Sequence, residues 1–264
     1  MLENNRRKEG LEESKLLIAK IKDKINISKK TNKIINTDFL DMSELSLVKK
    51  FLKEERICNF YIYGVRDEAD RNIIIFYPDK FSEDMVKKNL KNIIQIIKID
   101  FPNNLEFEHR EILSGVMKLG IKREKFGDII IHKDFAQIIV LKEIVDYMIN
   151  NLQGLTRFKR CIFTLTEIDS FVNKENEYEE FSIIVPSNRL DNFVSELAKC
   201  SRNIASEYIE QGRVFINSIN EYKDSKKINQ NDIITIRGKG KFIYTGIQKE
   251  TKSGRLVASI KKYK

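Results

Sequence analysis

Histidine and cysteine are scarce: two and three residues among 264. His109 and His132 stand apart and have no metal-ligand spacing. Cys58, Cys161 and Cys200 are odd in number and widely separated, so they set no disulfide framework and no metal knuckle. A reducing compartment is the simplest expectation. No apolar run approaches the roughly 20 residues of a membrane span. Met1 to Gly10 is polar and charged, unlike a secretory signal. No glycine-rich GxGxxG turn follows a strand, and there is no Walker lysine motif. The expectation is a cytoplasmic, membrane-free monomer without metal or cofactor, and not an enzyme.

What is abundant is charge: 33% of residues, with a net of +9. From Ser182 to Lys264 there are 16 lysines and arginines against eight acids, whereas residues 1–181 carry 32 against 31. A basic excess in one segment attracts a polyanion by counterion release and long-range steering. The 41% apolar fraction is enough to build hydrophobic cores.

The patterning predicts an α+β chain of three parts: 1–80, 81–181 and 182–264. In the first, Leu11, Leu17, Ile18, Ile21 and Ile25 have near-helical spacing. Asp41 or Ser43 can cap a second helix with Leu47, Val48, Phe51 and Leu52 on its apolar face. Strands follow at Cys58–Tyr63 and Ile73–Tyr77, the second ended by Pro78. This is a small α/β unit. The middle part reads as strand Asn92–Ile99, helix Arg110–Leu119 ended by Gly120, strands Asp128–His132 and Phe135–Leu141, helix Lys142–Leu152 and strand Arg160–Thr166. That β-α-β-β-α-β order is ferredoxin-like. RNA-recognition modules of this order stack bases on exposed aromatics of the central strands. Only Phe135 is available here, so the middle part is expected to be mainly a scaffold.

The last part predicts helices Leu190–Lys199 and Arg202–Gln211, strands Arg213–Asn217 and Asp232–Arg237, and a hairpin over Lys241–Lys262 turning at Lys252-Ser253-Gly254. Ser201 can cap the second helix, which puts Arg202 in its first turn. Helix amides and a guanidinium together make a seat for phosphate. Gly212-Arg213-Val214 sets a second arginine where helix becomes strand, and Asn217 can hold the following turn. Arg237-Gly238-Lys239-Gly240-Lys241 alternates cations with glycines that let an anion approach the backbone.

Ser201-Arg202, Gly212 to Asn217 and Asp232 to Gly240, in this order and spacing, resemble the S-four RNA-binding domain. That resemblance implies an RNA face containing Ser201, Arg202, Arg213, Arg237, Lys239 and Lys241. Leu119 to Ile129 (LGIKREKFGDI), with the three-part layout, is similar to the YlmH family of bacterial proteins. It implies a ribosome-associated RNA-binding protein. Some members of that family are linked to rescue of stalled large subunits carrying peptidyl-tRNA. Ribosomal RNA on the large subunit is then the expected partner, with tRNA as a further candidate. Lys122, Arg123 and Lys125 become additional candidates for RNA or ribosome contact. Gly64 to Arg71 (GVRDEADR) is only loosely like the family's glycine-and-acid stretch.

Two other classes compete. S-four domains ride on pseudouridine synthases, whose catalytic Asp lies in an Arg-Leu-Asp setting. Arg189-Leu190-Asp191 occurs here, but as the start of the predicted helix, where Asp191 favours the helix N-terminus. The nearly neutral residues 1–181 could instead make the protein an adaptor at the division site.

Overall fold

The computed structural model describes residues 2–66, 69–103, 105–173 and 177–263. Within GVRDEADR, Asp67 and Glu68 lie outside the described residues, as does the side chain of Leu11. The contacts group the chain into two compact units, Met1–Lys174 and Glu175–Lys264.

The first unit opens with α1 (Leu2–Thr31), β1 (Ile35–Asn36), β2 (Leu40–Asp41), α2 (Met42–Glu54), β3 (Phe60–Tyr63) and β4 (Arg71–Phe76). Asp41 caps α2: its carboxylate accepts from the amides of Ser43 and Glu44, and Glu44 returns a bond to the Asp41 amide. β4 pairs with β1, β2 and β3. Ile21 and Ile25 of α1 pack with Val48 and Leu52 of α2 and with Ile74 and Phe76 of β4. β4 ends before Pro78 as expected.

After α3 (Glu83–Asn89) come β5 (Ile94–Asp100), α4 (His109–Lys118), β6 (Phe126–Ile131), β7 (Phe135–Leu141), α5 (Val145–Leu152) and β8 (Ile162–Thr166). Residues 142–144 form a 3-10 turn rather than the start of α5. The sheet order is β6-β7-β5-β8, all antiparallel, which is the ferredoxin-like arrangement. Gly120 follows α4 with φ +76, the left-handed backbone a helix end requires.

This sheet is covered on both sides. Ile97, Ile99, Ile138 and Val140 face Ile112 and Val116 of α4 and Met148 and Leu152 of α5. Ile94, Ile139 and Leu141 face Phe39, Ile73, Ile75 and Val86. Consecutive residues of β7, from Ala136 to Leu141, are therefore all buried. Phe135 sits at the strand end, stacked on His132 at 4.3 Å with the Lys98 ammonium 4.8 Å above its ring.

The second unit holds β9 (Tyr178–Val185), α6 (Leu190–Ala198), α7 (Arg202–Glu210), β10 (Val214–Ile216), β11 (Ile219–Asn220), β12 (Ile233–Ile236), β13 (Gly240–Glu250) and β14 (Leu256–Tyr263). The sheet runs β11-β10-β12-β13-β14-β9, and α6 and α7 cover one face through Phe193, Leu197, Ala205 and Ile209. β9 pairs with β14 over eight positions, from Val185↔Leu256 to Tyr178↔Tyr263.

That pairing changes the charge distribution. Bringing Glu175, Glu177, Glu179 and Glu180 into the second unit gives it 16 basic and 12 acidic residues, net +4. The first unit then has 32 against 27, net +5. The basic excess is shared, rather than confined to the last third.

Candidate nucleic-acid interface

α6 and α7 meet at a tight corner. Lys199 takes the left-handed backbone at φ +53, and Ser195 Oγ donates to the Cys200 carbonyl at 2.6 Å. Ser201 caps α7, accepting from the Ile204 amide at 3.4 Å. The loop before β12 folds back onto the start of α6. Leu190 N donates to Lys226 O at 2.8 Å, Asp191 N to Asp224 O at 3.2 Å, and Ile228 N to Asn188 O at 2.9 Å. Ser206 Oγ of α7 donates to Asp224 Oδ2 at 2.6 Å and ties the same loop to the second helix.

At the centre lies Asp191, 2% exposed. Its Oδ1 accepts from Arg189 Nε at 3.1 Å and the Asn192 amide at 2.9 Å. Its Oδ2 accepts from Arg189 Nη2 at 2.8 Å and from Arg202 Nε and Nη2 at 2.9 and 2.7 Å. A buried carboxylate persists only when paired in this way. Burial pushes its pKa up, but the hydrogen bonds from Arg189 and Arg202 outweigh it and hold the carboxyl below the usual range. The two arginine side chains remain 39% and 57% exposed. Asp191 thus fixes two guanidinium groups while their outer edges face solvent. Lys223, Lys226 and Lys227, all exposed, stand on the loop docked beside them.

The sequence placed Ser201 and Arg202 here but assigned Asp191 only to the helix start. It missed Arg189 and the lysine loop. The cation run Lys223-Asp224-Ser225-Lys226-Lys227 was the available signal, but only the fold shows that the loop docks on α6.

A second group gathers at the other end of α7. Over nine residues, that helix rises about 13 Å. The Arg213 guanidinium lies 4.1 Å over the Tyr208 ring, and its Nη2 donates to the Arg237 carbonyl at 3.1 Å. Only the Arg237 carbonyl joins this group: its side chain reaches over the Phe215 ring at 5.6 Å, on the face of the sheet turned away from α6 and α7. Gly238 turns the chain at φ +75. Lys239 stands instead toward the α6–α7 corner, near enough to Cys200 for its charge to oppose the upward push of burial on that thiol. Asn217 holds its turn as expected, donating to Asp232 Oδ1 at 2.8 Å and accepting from the Ile233 amide at 2.9 Å.

Lys241 does not join either group. Its neighbour Phe242 points into the helix-covered core, so Lys241 lies on the opposite face of the sheet, 4.9 Å over the Tyr263 ring.

The block at 119–129 is mostly committed internally. Arg123 Nη1 donates to the carbonyls of Phe126 at 2.6 Å and Gly127 at 3.0 Å, with the guanidinium 4.3 Å over the Phe126 ring. Burial, then the Arg71 charge, lowers its pKa to about 10. Lys125 Nζ bonds Asp38 at 2.9 Å and Glu143 at 2.7 Å. A Cβ on Gly127 would stand 2.8 Å from the Phe39 ring. Asp128 accepts the Asp70 amide at 3.1 Å. Only Lys122 of the three candidate cations is exposed.

Among the described residues no cluster of His, Cys, Asp or Glu could hold a metal, and no helix is long and apolar enough to cross a membrane.

Residues 88–171 match the family described as "Putative RNA-binding domain in YlmH", and residues 188–219 match the S4 domain. The chain is 26% identical over 222 residues to "Ribosome-associated protein quality control protein P2" of Bacillus subtilis (strain 168), covering 83% of each chain. It also aligns with the structure of "Cell division protein ylmH from Streptococcus pneumoniae", at 18% identity and a TM-score of 0.47, over 61% of this chain and 95% of that one. The two matched domains, in this order over an α+β fold, together with the Bacillus subtilis relative, support the YlmH family of RNA-binding proteins with a C-terminal S4 domain.

Proposed function

We propose that the protein binds structured ribosomal RNA on the large ribosomal subunit and acts, without chemistry of its own, in quality control of stalled ribosomes. The observation that carries the reading is the Asp191 clamp. One buried carboxylate holds Arg189 and Arg202 outward, beside Lys223, Lys226 and Lys227. Fixed guanidinium groups suit phosphate, since their planar N–H forks need little reordering on binding. The name of the Bacillus subtilis relative supports the ribosomal setting.

Asp191 is ill-suited to act on a nucleoside. Both oxygens are occupied, the side chain is buried, and the arginines keep it ionised. The pseudouridine-synthase reading therefore has no accessible carboxylate at the Arg-Leu-Asp position.

The test is sedimentation of the full chain with bacterial ribosomes at low and high potassium chloride. Cosedimentation with the large subunit at low salt, lost at high salt, is the expected result. Exclusive comigration with the small subunit, or none at low salt, overturns the proposal. So does a new modified base, found by mass spectrometry in ribosomal RNA incubated with the protein.

A further inference from the structure

The central strands of the ferredoxin-like sheet are closed to RNA, because both of their faces are packed. An RNA-binding surface on this part of the chain has to be built from helices and loops. The first unit also carries a net +5, so a polyanion has reason to approach it.

One groove has the components. α4 presents Arg110, Ser114 and Lys118 at four-residue spacing, along one helix face over about 12 Å. Leu155–Phe158 forms the facing wall, and the groove between them has a volume of about 500 Å³. Its approach is set by Gly115, where a Cβ would stand 2.6 Å from Phe158 Cε2. Any larger residue would force the walls apart. Phe158 itself is buried against Phe107, at a ring distance of 5.2 Å, so it offers no open ring to a base.

Arg157 is held in place on this wall. Its guanidinium lies 4.8 Å over the Phe107 ring, and Nη2 donates to Glu106 O at 2.9 Å and Glu111 Oε1 at 3.0 Å. The one acid lining the groove is thus already paired. Arg110 and Lys118 stand exposed at the two ends of the stripe, with the hydroxyls of Ser114 and Thr156 between.

We propose that this groove is a second RNA contact, one that takes the phosphodiester backbone of an RNA strand through Arg110, Lys118 and Arg157. It recognises phosphate rather than base, since cations and hydroxyls line it and its aromatic ring is covered. The inference rests on the RNA-binding reading above and adds a site about which the α6–α7 corner says nothing.

The test uses the full chain, fluorescein-labelled fragments of bacterial ribosomal RNA, and anisotropy over a potassium chloride series. The variants are Arg110→Ala with Lys118→Ala, the charge-keeping pair Arg110→Lys with Lys118→Arg, and Arg202→Ala as reference. Both groove positions are exposed, so the fold tolerates them. The alanine pair is expected to bind roughly tenfold more weakly, and its log–log salt slope should be shallower by about 1.5, for two lost phosphates. The charge-keeping pair should bind like wild type. Wild-type affinity and slope in the alanine pair, with Arg202→Ala weakened, removes the groove proposal and leaves the S4-domain reading intact. Failure of the wild type itself to bind RNA removes both. Unchanged RNA binding together with lost binding to RNase-treated ribosomal proteins assigns the groove to a protein and overturns the proposal.

Discussion

Replacing Asp191 with asparagine separates orientation from simple charge, because the two predict opposite signs. The carboxylate receives four hydrogen bonds from Arg189 and Arg202 and one from the Asn192 amide. An amide keeps one acceptor oxygen and points its NH₂ at a guanidinium, losing about two charge-assisted bonds. At 1.5–3 kcal/mol each these would sum to about 3–6 kcal/mol. The arginines are 39% and 57% exposed and rehydrate, so we discount this to about 2–3 kcal/mol. For a unit of this size the melting temperature falls by roughly 10–20 °C. Removing a negative charge beside phosphate would strengthen RNA binding by up to about 1 kcal/mol. Freeing two guanidinium side chains costs about 0.5–1.5 kcal/mol each to reorder on binding. The second effect wins by about 1 kcal/mol, so affinity falls about fivefold although the net charge rises by one. The assay is anisotropy with ribosomal RNA fragments well below the variant's melting transition. Unchanged or tighter binding refutes the clamp as an orienting device.

The wild-type carboxyl, held below the usual range, stabilises the fold above about pH 4 and loses that contribution as pH falls through its folded value; thermal melts from pH 7 to 3 should show this acid limb, and Asp191→Asn should lack it. Asp128 has the opposite sign, since burial first and the Asp70 charge second push it up to about 6. The unfolded carboxyl ionises first, so stability falls as pH rises from about 4 to 6; Asp128→Asn should melt higher than wild type at pH 7.5, with the gap narrowing below 6 and closing only below about pH 4. Arg123→Ala removes two bonds to carbonyls and should cost about 2 kcal/mol in denaturant melts while changing RNA affinity less than twofold. Joint replacement of Lys223, Lys226 and Lys227 by alanine should move the melting curve little, yet make the salt slope of RNA binding shallower by about 2.

Local signals carried well into the fold. Asp41 caps α2, Gly120 ends α4, and the alternating order of strands and helices from Asn92 to Thr166 yields the ferredoxin-like sheet. What escaped depends on partners distant in sequence. β9 reads as an acidic lead-in, Tyr-Glu-Glu, and becomes a strand only because β14 pairs with it. Arg123 and Lys125 read as candidates for RNA or ribosome contact, yet Lys125 is bound by Asp38 and Glu143 from different elements. Arg202 and Asp191 are eleven residues apart across a helix corner, so helical periodicity does not reveal that they touch. Lys241 follows the glycine-spaced cations in sequence, but strand alternation turns it to the far face of the sheet.

The place of β14 between β13 and β9 also dictates an order of events during synthesis. β9 is made first and emerges from the ribosome with its hydrogen-bonding edge open. Its only sheet neighbour among the described strands is 256–263. The α6–α7 corner and β10 through β13 can assemble earlier, since their pairings are closer in sequence. The second unit therefore passes through a nascent form in which the helix corner is folded while its edge strand waits unpaired, exposed to mispairing until residues 256–263 are free to insert.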